Sequence, residues 1–437
     1  MTVADGFTLA VAGDLLGPWA PRMGQGNAGL GAVAALFTSA DAGFANLEGN
    51  IFDLVDFRGS PAAENGGFEQ GGIGSGPLYP CSVADDLREL GITMVSVANN
   101  HALDWGAEGL LETGRTLDAA GIVHAGGGRT LAAARAPAFS ETARGRVALV
   151  SAASTFLPMA PAGAGGGDAR YPYRAPRPGI SALRKRTVTL VTEEEFAVLR
   201  SIADRQGTGV ADDAIDVVIN PNYETFAPQN FRLADRTGVT YEPFPEDRDG
   251  ILDAVRVGRT RADFVVFAIH AQETSSGGQE FLVPPETLEP PDFVVDLARD
   301  AIDAGADAVL VHGPHVVRGI EIHRDRPVFY GLGSLFFELG IGWPPSWYDS
   351  VVPVIRFDGG TLAEIRLHPI SLGHPDERRP QSRQGIPEPA DEETADRILT
   401  GIRRSSERYG TSVDITAGIG VIRDLADPPM ELEGVTG

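Results

Sequence analysis

The sequence predicts an α/β fold with a largely parallel sheet. Over the first 155 residues, short apolar segments alternate with segments of helical pattern, which is typical of parallel sheets flanked by helices. Hydrophobic residues make up 43% of the chain and charged residues 22%, as in ordinary folded domains. Polar side chains directly follow several of the apolar segments, at the strand ends where open α/β sheets place their sites.

The predicted elements follow from local patterns. The apolar run Phe7–Ala12 stops at Gly13 and predicts a buried strand. The next elements are a helix at 28–40, a strand at 43–47, a helix at 83–90, a strand at 92–98, a helix at 107–120 and a strand at 147–151. The glycine-rich stretch Asn65–Pro77 between them predicts a surface loop.

The second part of the chain predicts an insertion and then a second sheet. Residues 157–249 begin with a stretch rich in Pro, Gly and Ala, and we expect them to be an insertion into the main fold. They contain a helix, Val191–Gln206, in which Thr192 and Glu195 match a capping box. The α/β pattern then resumes with a strand at Phe264–Ile269, a helix at Phe293–Gly305 and a strand at Ala308–Val311. The closely spaced strands that follow, from Val316 to Leu367, predict a mixed or antiparallel second sheet. We therefore predict one main domain, 1–375, and a C-terminal extension, 376–437, with one helix near 392–408.

The charge and the cysteine content narrow the possible partners and the location. The formal net charge is −24, so we expect neither nucleic acid nor a membrane surface as a partner. We expect a cytoplasmic protein, because Cys81 is the single cysteine and residues 1–5 lack a secretory-signal pattern. The sequence leaves the oligomeric state open.

Five short segments place polar side chains at the ends of predicted strands. They are Gly13–Asp14, Asn46–Glu48, Asn99–His101 with Asp104, His270 with Glu273, and His312–His315. One aspartate after a strand is usually a cap or a turn residue, and one histidine is usually structural. Five such segments at the same topological position predict a joint functional site.

These segments resemble CapA, the poly-γ-glutamate capsule-synthesis family. The resemblance is carried by AVAGDLL, FANLEGNI, VSVANNHALDWGAEGLLET, FAIHAQE, GADAVLVHGPHVVRGIEI and RPVFYGLGSLFFE. It covers most of the chain outside the 157–249 insertion and the tail after His374. It implies a calcineurin-like metallophosphoesterase fold, which is a two-sheet α/β/β/α sandwich with its site at the strand ends.

The resemblance also implies a set of site residues. The metal-ligand candidates are Asp14, Glu48, Asn100, His270, His312 and His315. His101 would be the acid/base histidine, with Asp104 orienting it, and Asp14, His270 and His315 are further catalytic candidates.

Three positions depart from the phosphoesterase pattern. Leu16 stands where those enzymes have a histidine, Glu48 replaces their bridging aspartate, and Ser334 stands where CapA-like chains usually have Asn. A two-metal site holds its ions roughly 3.5–4 Å apart and needs a full set of ligands. We therefore expect a single divalent ion, namely Mn, Mg or Ca, as the cofactor.

All four tryptophans lie beside these motifs. Trp19 follows Asp14 by five residues, Trp105 directly follows Asp104, and Trp343 and Trp347 lie in the loop GWPPSWY. Each alone would be expected to pack beneath a loop. Together they predict an aromatic rim that binds an apolar or aromatic group of the substrate.

Three functions agree with these observations. The first is hydrolysis of a phosphoester, a γ-glutamyl bond or another amide bond, linked to poly-γ-glutamate capsule synthesis. The second is acid/base epimerisation, from L to D, at the Cα of the C-terminal residue of a lasso-type precursor peptide, as in one branch of CapA-like enzymes. The third is a binding role around a decayed metal site, and the presence of all four motif histidines argues against it. We favour the epimerase, because it needs acid and base groups around one cation and no second metal.

Overall fold

The computed structural model describes ten stretches of the chain: 2–17, 28–59, 77–166, 175–207, 210–211, 213–219, 229–277, 289–338, 343–373 and 385–423. The elements up to residue 153 are β1 (Phe7–Leu16), α1 (Ala28–Thr38), β2 (Ala42–Leu47), β3 (Asn50–Ile51), β4 (Leu78–Tyr79), α2 (Ser82–Glu89), β5 (Met94–Ser96), α3 (Gly106–Ala120), β6 (Val123–Ala125), β7 (Gly127–Gly128), α4 (Leu131–Arg135), β8 (Ala138–Thr142) and β9 (Gly145–Ala153).

The elements from 179 to 312 are β10 (Gly179–Ile180), β11 (Lys185–Val191), α5 (Glu193–Arg205), β12 (Asp216–Ile219), β13 (Gln229–Leu233), β14 (Gly238–Pro243), α6 (Pro245–Arg261), β15 (Phe264–His270), α7 (Asp292–Asp303) and β16 (Ala308–His312). The last elements are β17 (Ile320–His323), β18 (Arg326–Phe329), β19 (Ser334–Phe337), a 3₁₀ turn (Pro345–Tyr348), β20 (Asp349–Asp358), β21 (Thr361–Ser371), β22 (Glu388–Pro389), α8 (Glu392–Glu407), β23 (Asp414–Thr416) and β24 (Ile419–Ile422).

Two large mixed sheets form the centre of the molecule. The first has the strand order β23-β24-β21-β20-β1-β2-β5-β6, with β19 also paired to β1 and β22 to β21. The second has the order β17-β18-β16-β15-β9-β8. Each sheet contains a parallel group, β19-β1-β2-β5-β6 in the first and β18-β16-β15-β9 in the second. The remaining pairs are antiparallel.

The side chains of the strands alternate between two cores. In β15, Val266 and Ala268 belong to a core shared with β1 and β2 of the other sheet, whereas Val265 and Phe267 pack against α6 and α7. This alternation is the period of two that a strand imposes on its side chains. Helices α1, α2 and α3 cover the outer face of the first sheet. The described layers therefore run helix, sheet, sheet, helix.

The predicted α/β class is confirmed, but the strands are divided between the sheets in a different way. We expected one largely parallel sheet from the first 155 residues and a second sheet from the later strands. Instead β9 pairs with β15 in the second sheet, and β20 lies beside β1 in the first. Hydrophobic periodicity predicts single strands well, but it carries no information about which distant strand becomes the partner.

Strands β11 to β14 form a separate four-stranded sheet of order β12-β13-β11-β14. Its small core is made by Val191, Phe196, Ala203 and Val217. The predicted capping box of α5 is present, since Thr192 accepts from the Glu195 N–H while the Glu195 side chain accepts from the Thr192 N–H. Helix α6 then returns to the outer face of the second large sheet.

The C-terminal elements pack on the main fold. Strand β24 pairs with β21, β22 also pairs with β21, and α8 adds Ile398, Leu399 and Ile402 to the core between the large sheets. The division predicted at residue 375 lies outside the described residues, as do positions 65–76 of the predicted glycine-rich loop. Among the helices that the structure describes, none has the length and apolar character required to cross a bilayer.

Candidate metal centre

Strand ends from both large sheets meet at one buried cluster. Asp14 lies near the end of β1, Glu48 directly follows β2, and His270 and His312 are the last residues of β15 and β16. All four side chains are fully buried. His315 follows in the loop after β16 and is 4% exposed. The carboxyl ends of the two parallel groups therefore converge here, as the positions in the sequence predicted.

The Asp14 carboxylate is fixed by two donors. The Asn46 side-chain amide donates to its Oδ1 at 2.8 Å, and the Gly313 main-chain N–H lies 3.1 Å from its Oδ2. Gly313 has a φ of +103°, and a Cβ there would lie 3.0 Å from Cε1 of the His270 ring. Glycine is thus required for this turn to bring its N–H to Asp14.

The histidines surround Asp14 and Glu48 at short range. His312 Nδ1 lies 3.7 Å from Asp14 Oδ1, His315 Nδ1 lies 3.4 Å from Asp14 Oδ2, and His270 Nε2 lies 3.9 Å from Glu48 Oε1. Ligand atoms of Asp14, His270 and His312 all fall within 4.8 Å of one another, and so do those of Asp14, Glu48 and His315. The two groups overlap at Asp14.

Several buried donor atoms in the cluster fit a cation. His270 Nε2 and His312 Nε2 are buried and have no hydrogen-bond partner among the described residues, and the same holds for Oδ1 of Asn100, which precedes His101 in the chain. Such an atom costs about 1–3 kcal/mol when it is left without a partner. Burial holds the pKa of His270 well below its ordinary value and lowers that of His312 to about 3. Both rings are therefore neutral and keep a lone pair for a metal.

His101 and Asp104 form a dyad beside this cluster. His101 Nδ1 lies 2.6 Å from Asp104 Oδ2, and its Nε2 lies 4.0 Å from Glu48 Oε1. Burial alone would lower the pKa of His101, but the hydrogen bond and charge of Asp104, with the charge of Glu48, outweigh burial and raise it. Burial also raises the pKa of Asp104. The His101 ring is only 17% exposed, so its orientation is fixed within the site.

Two asparagines organise the site although the sequence motifs assigned them no role. Asn99 donates to the Leu47 carbonyl oxygen at 2.7 Å and to Asn46 Oδ1 at 3.2 Å, and its own Oδ1 accepts from the His101 main-chain N–H at 3.1 Å. Asn46 in turn holds Asp14. These bonds join the ends of β1, β2 and β5. Both residues lie inside the quoted motifs, and their full burial is visible only in the folded chain.

The C-terminal tryptophans lie against one of the ligand candidates. Trp347 is 4% exposed, and its ring centroid lies 4.6 Å from that of His315. Trp343 is partly buried and stacks on Trp347 with centroids 4.9 Å apart and planes at 10°. Ser334, on the other side, lies 3.3 Å from His315 Nδ1 through its Oγ. Trp347 therefore supports the histidine, and Trp343 is the outer member of the pair.

Trp105 belongs to a second aromatic group. It is 8% exposed and packs edge-on against Phe52 and Phe57, with centroids 5.6 and 6.0 Å apart. Trp19 lies outside the described residues. In the described part of the chain, the predicted aromatic rim thus consists of two separate groups, one beside His315 and one after Asp104.

Comparison with known proteins identifies the family of the chain. The fold and the cluster define a mixed α/β protein whose buried Asp, Glu and His residues are able to hold a metal ion. The chain belongs to the bacterial capsule synthesis protein family PGA_cap, whose model matches residues 8–339.

Relatives of the chain match over different lengths. An uncharacterized protein, y4uA, of Sinorhizobium fredii is 36% identical over 96% of this chain and 94% of its own length. A probable polyglutamine synthesis accessory protein of Mycobacterium tuberculosis is 26% identical over 73% of this chain and 63% of its own. The PGA biosynthesis protein CapA of Bacillus subtilis is 33% identical over 22% of each chain.

Proposed function

We propose that this protein is a metal-dependent enzyme that transfers protons at the Cα of a peptide. The expected reaction is epimerisation, from L to D, of the C-terminal residue of a lasso-type precursor peptide. The observation that carries the proposal is the His101–Asp104 dyad. Asp104 contacts Nδ1 of the His101 ring, and the other ring nitrogen, Nε2, lies 4.0 Å from Glu48 Oε1 in the buried cluster. Proton abstraction next to a carbonyl needs a positioned base and a stabilised negative charge.

A second histidine is also held by a carboxylate. His315 lies 3.4 Å from Asp14 and 3.3 Å from Ser334, whereas His270 and His312 have Nε2 atoms without a partner among the described residues. We assign His270 and His312 to the metal, and His101 and His315 to proton transfer on opposite faces of Cα. Epimerisation needs such a pair, because one group removes the proton and the other returns one.

The proposed metal ligands are Asp14, Glu48, Asn100, His270 and His312. When bound, the cation would stabilise the negative charge that develops on the substrate carbonyl oxygen. Among Mn, Mg and Ca, the mixture of carboxylate, amide and imidazole donors favours Mn²⁺, since Mg and Ca prefer oxygen ligands alone. We keep the expectation of one ion, because Leu16 stands where the two-metal phosphoesterases have a histidine, and because His315 is assigned to proton transfer and not to a second ion.

The substrate is proposed to be a peptide with a bulky C-terminal side chain. Trp343, stacked outside the buried Trp347, offers an aromatic surface near His315. The helix, sheet, sheet, helix layers support the calcineurin-like fold that the CapA resemblance implies. The cytoplasmic location stays a prediction, drawn from the single cysteine and the N-terminal sequence.

Hydrolysis is the second candidate, and the family match favours it. The relatives named above include proteins of poly-γ-glutamate and polyglutamine synthesis. A hydrolase acting on a γ-glutamyl amide would use the same cation and the same dyad, with His101 giving its proton to the leaving amine. The two candidates differ in one step, because hydrolysis adds water across a bond whereas epimerisation breaks only a C–H bond.

Isotope labelling separates the two reactions. The Mn²⁺-loaded protein is incubated in D₂O with a synthetic peptide that ends in tryptophan, and in ¹⁸O-water with a γ-glutamate oligomer. Epimerisation adds one deuterium at the C-terminal Cα, so the mass rises by about one unit and D-tryptophan appears on chiral analysis. Incorporation of ¹⁸O into a product carboxylate, with no deuterium at Cα, would show that the protein catalyses hydrolysis and not epimerisation.

A further inference from the structure

The chain has one lysine, and the structure places it beside the metal centre. Lys185 is the first residue of β11 in the inserted sheet, and its side chain is 13% exposed. Its ammonium contacts the carboxylate of Glu273, which is 8% exposed, and donates to the Ser154 carbonyl oxygen at 2.7 Å. The rings of Tyr241 and Phe293 each lie 5.9 Å from the Lys185 nitrogen.

Lys185 is connected to a metal-ligand candidate by a short chain of bonds. The other oxygen of Glu273, Oε2, accepts from Ser154 Oγ at 2.8 Å. The Ser154 main-chain N–H donates to the carbonyl oxygen of His270 at 2.9 Å, and Glu273 follows His270 by three residues. Both ends of the segment 270–273 are therefore held by groups that Lys185 contacts.

The inserted sheet thus reaches the site through an ion pair that is largely shielded from solvent. Removal of one partner from such a pair is costly, because the remaining charge is left in a site of low dielectric constant. The planar rings beside the ammonium also restrict its position. By contrast, the next residue, Arg186, is 44% exposed and pairs with Glu242 within the inserted sheet.

We propose that Lys185 is a positioning residue for the metal centre. It holds Ser154 and Glu273, which fix the end of β15 and the segment that follows it, and so direct the His270 ring toward the cation. This inference rests on the metal centre of the proposed function, but not on which reaction that centre catalyses. Groups that orient a metal-binding histidine typically account for a 10–100-fold change in metal affinity.

The test is the affinity of the purified full-length protein for Mn²⁺, measured by titration calorimetry. Lys185→Met removes the charge and keeps an unbranched apolar chain, and we expect Mn²⁺ binding to weaken roughly 10–100-fold. Arg186→Met is the matched control on the same strand and should bind like the parent. Lys185→Arg restores the cation and should recover most of the lost affinity.

Thermal unfolding separates positioning from general stability. A purely structural role predicts that Lys185→Met lowers the melting temperature equally with and without Mn²⁺, at unchanged affinity, and this result would overturn the proposal. Positioning predicts that the rise in melting temperature caused by Mn²⁺ becomes smaller. If Lys185→Met does not fold, Glu273→Gln is the second variant, because it keeps the size of the side chain and removes the charge. An affinity for Mn²⁺ equal to that of the parent in Glu273→Gln would also overturn the proposal.

The experiments distinguish an error in the proposed reaction from an error in the proposed role of Lys185. A parent protein that binds Mn²⁺ and catalyses no deuterium exchange contradicts the epimerase, and the effect of Lys185→Met on affinity still stands. A parent that binds no Mn²⁺ overturns the metal centre and this inference together.

Discussion

At the scale of single residues, His101 is the side chain on which the proposed chemistry depends most. Asp104 holds one ring nitrogen at 2.6 Å, which leaves the other nitrogen directed toward Glu48. Burial alone would lower the pKa of His101, but the carboxylates of Asp104 and Glu48 together outweigh burial and raise it. A histidine oriented in this way is suited to give and take a proton without turning.

Replacement of His101 should separate catalysis from metal binding. We expect His101→Ala to lower the turnover of the labelled peptide roughly 10²–10⁴-fold while the Mn²⁺ content is unchanged, because an acid/base group is lost. Asp104→Asn should have a smaller effect if Asp104 mainly orients the ring. His124→Ala is the control, since His124 pairs with Asp118 on α3. Activity of His101→Ala close to that of the control, at equal metal content, would exclude His101 as the acid/base group.

The sequence predicted the ligand candidates because their backbone positions are local features. Asp14 and His312 come at the ends of apolar runs, and the CapA resemblance named the same residues. The roles of Asn46 and Lys185 were not predicted, since each depends on a partner far along the chain. Asn46 lies in one of the predicted site segments, but no local pattern shows that it bonds Asp14. A single lysine in an insertion carries no local sign of its partner.

At the scale of elements, the 3₁₀ turn Pro345–Tyr348 shapes one side of the site. It places Trp347 against His315 and Trp343 against Trp347. In the sequence all four tryptophans lie beside motifs, but the pattern did not predict that Trp347 is buried against His315 and that Trp343 is only partly buried. That distinction depends on burial, which arises only when the turn packs onto β19 and β20.

The two tryptophans should therefore differ on replacement. We expect Trp347→Ala to weaken peptide binding and also to reduce catalysis, because the His315 ring loses its neighbour. Trp343→Ala should weaken peptide binding only, by roughly 0.5–1.5 kcal/mol if an aromatic pair is lost. Steady-state kinetics show the difference as a fall in kcat for Trp347→Ala and a rise in KM alone for Trp343→Ala. Equal KM and kcat in both variants and the parent would mean that neither residue contributes.

At the scale of the whole molecule, the site exists because two sheets end at the same place. The first sheet provides Asp14 and Glu48, and the second provides His270 and His312. The α/β class followed from the alternation of strands and helices. That alternation did not predict that β9 belongs to the second sheet and β20 to the first, because the pairing of distant strands depends on how both faces of each strand pack.

The metal centre is tested most directly by anomalous diffraction from crystals grown with Mn²⁺. We expect one strong peak per chain beside Asp14, His270 and His312, and loss of most of that peak in Glu48→Gln crystals. Two peaks per chain would contradict the single-ion site. A crystal soaked in Mn²⁺ with no peak near Asp14 would contradict the metal centre itself.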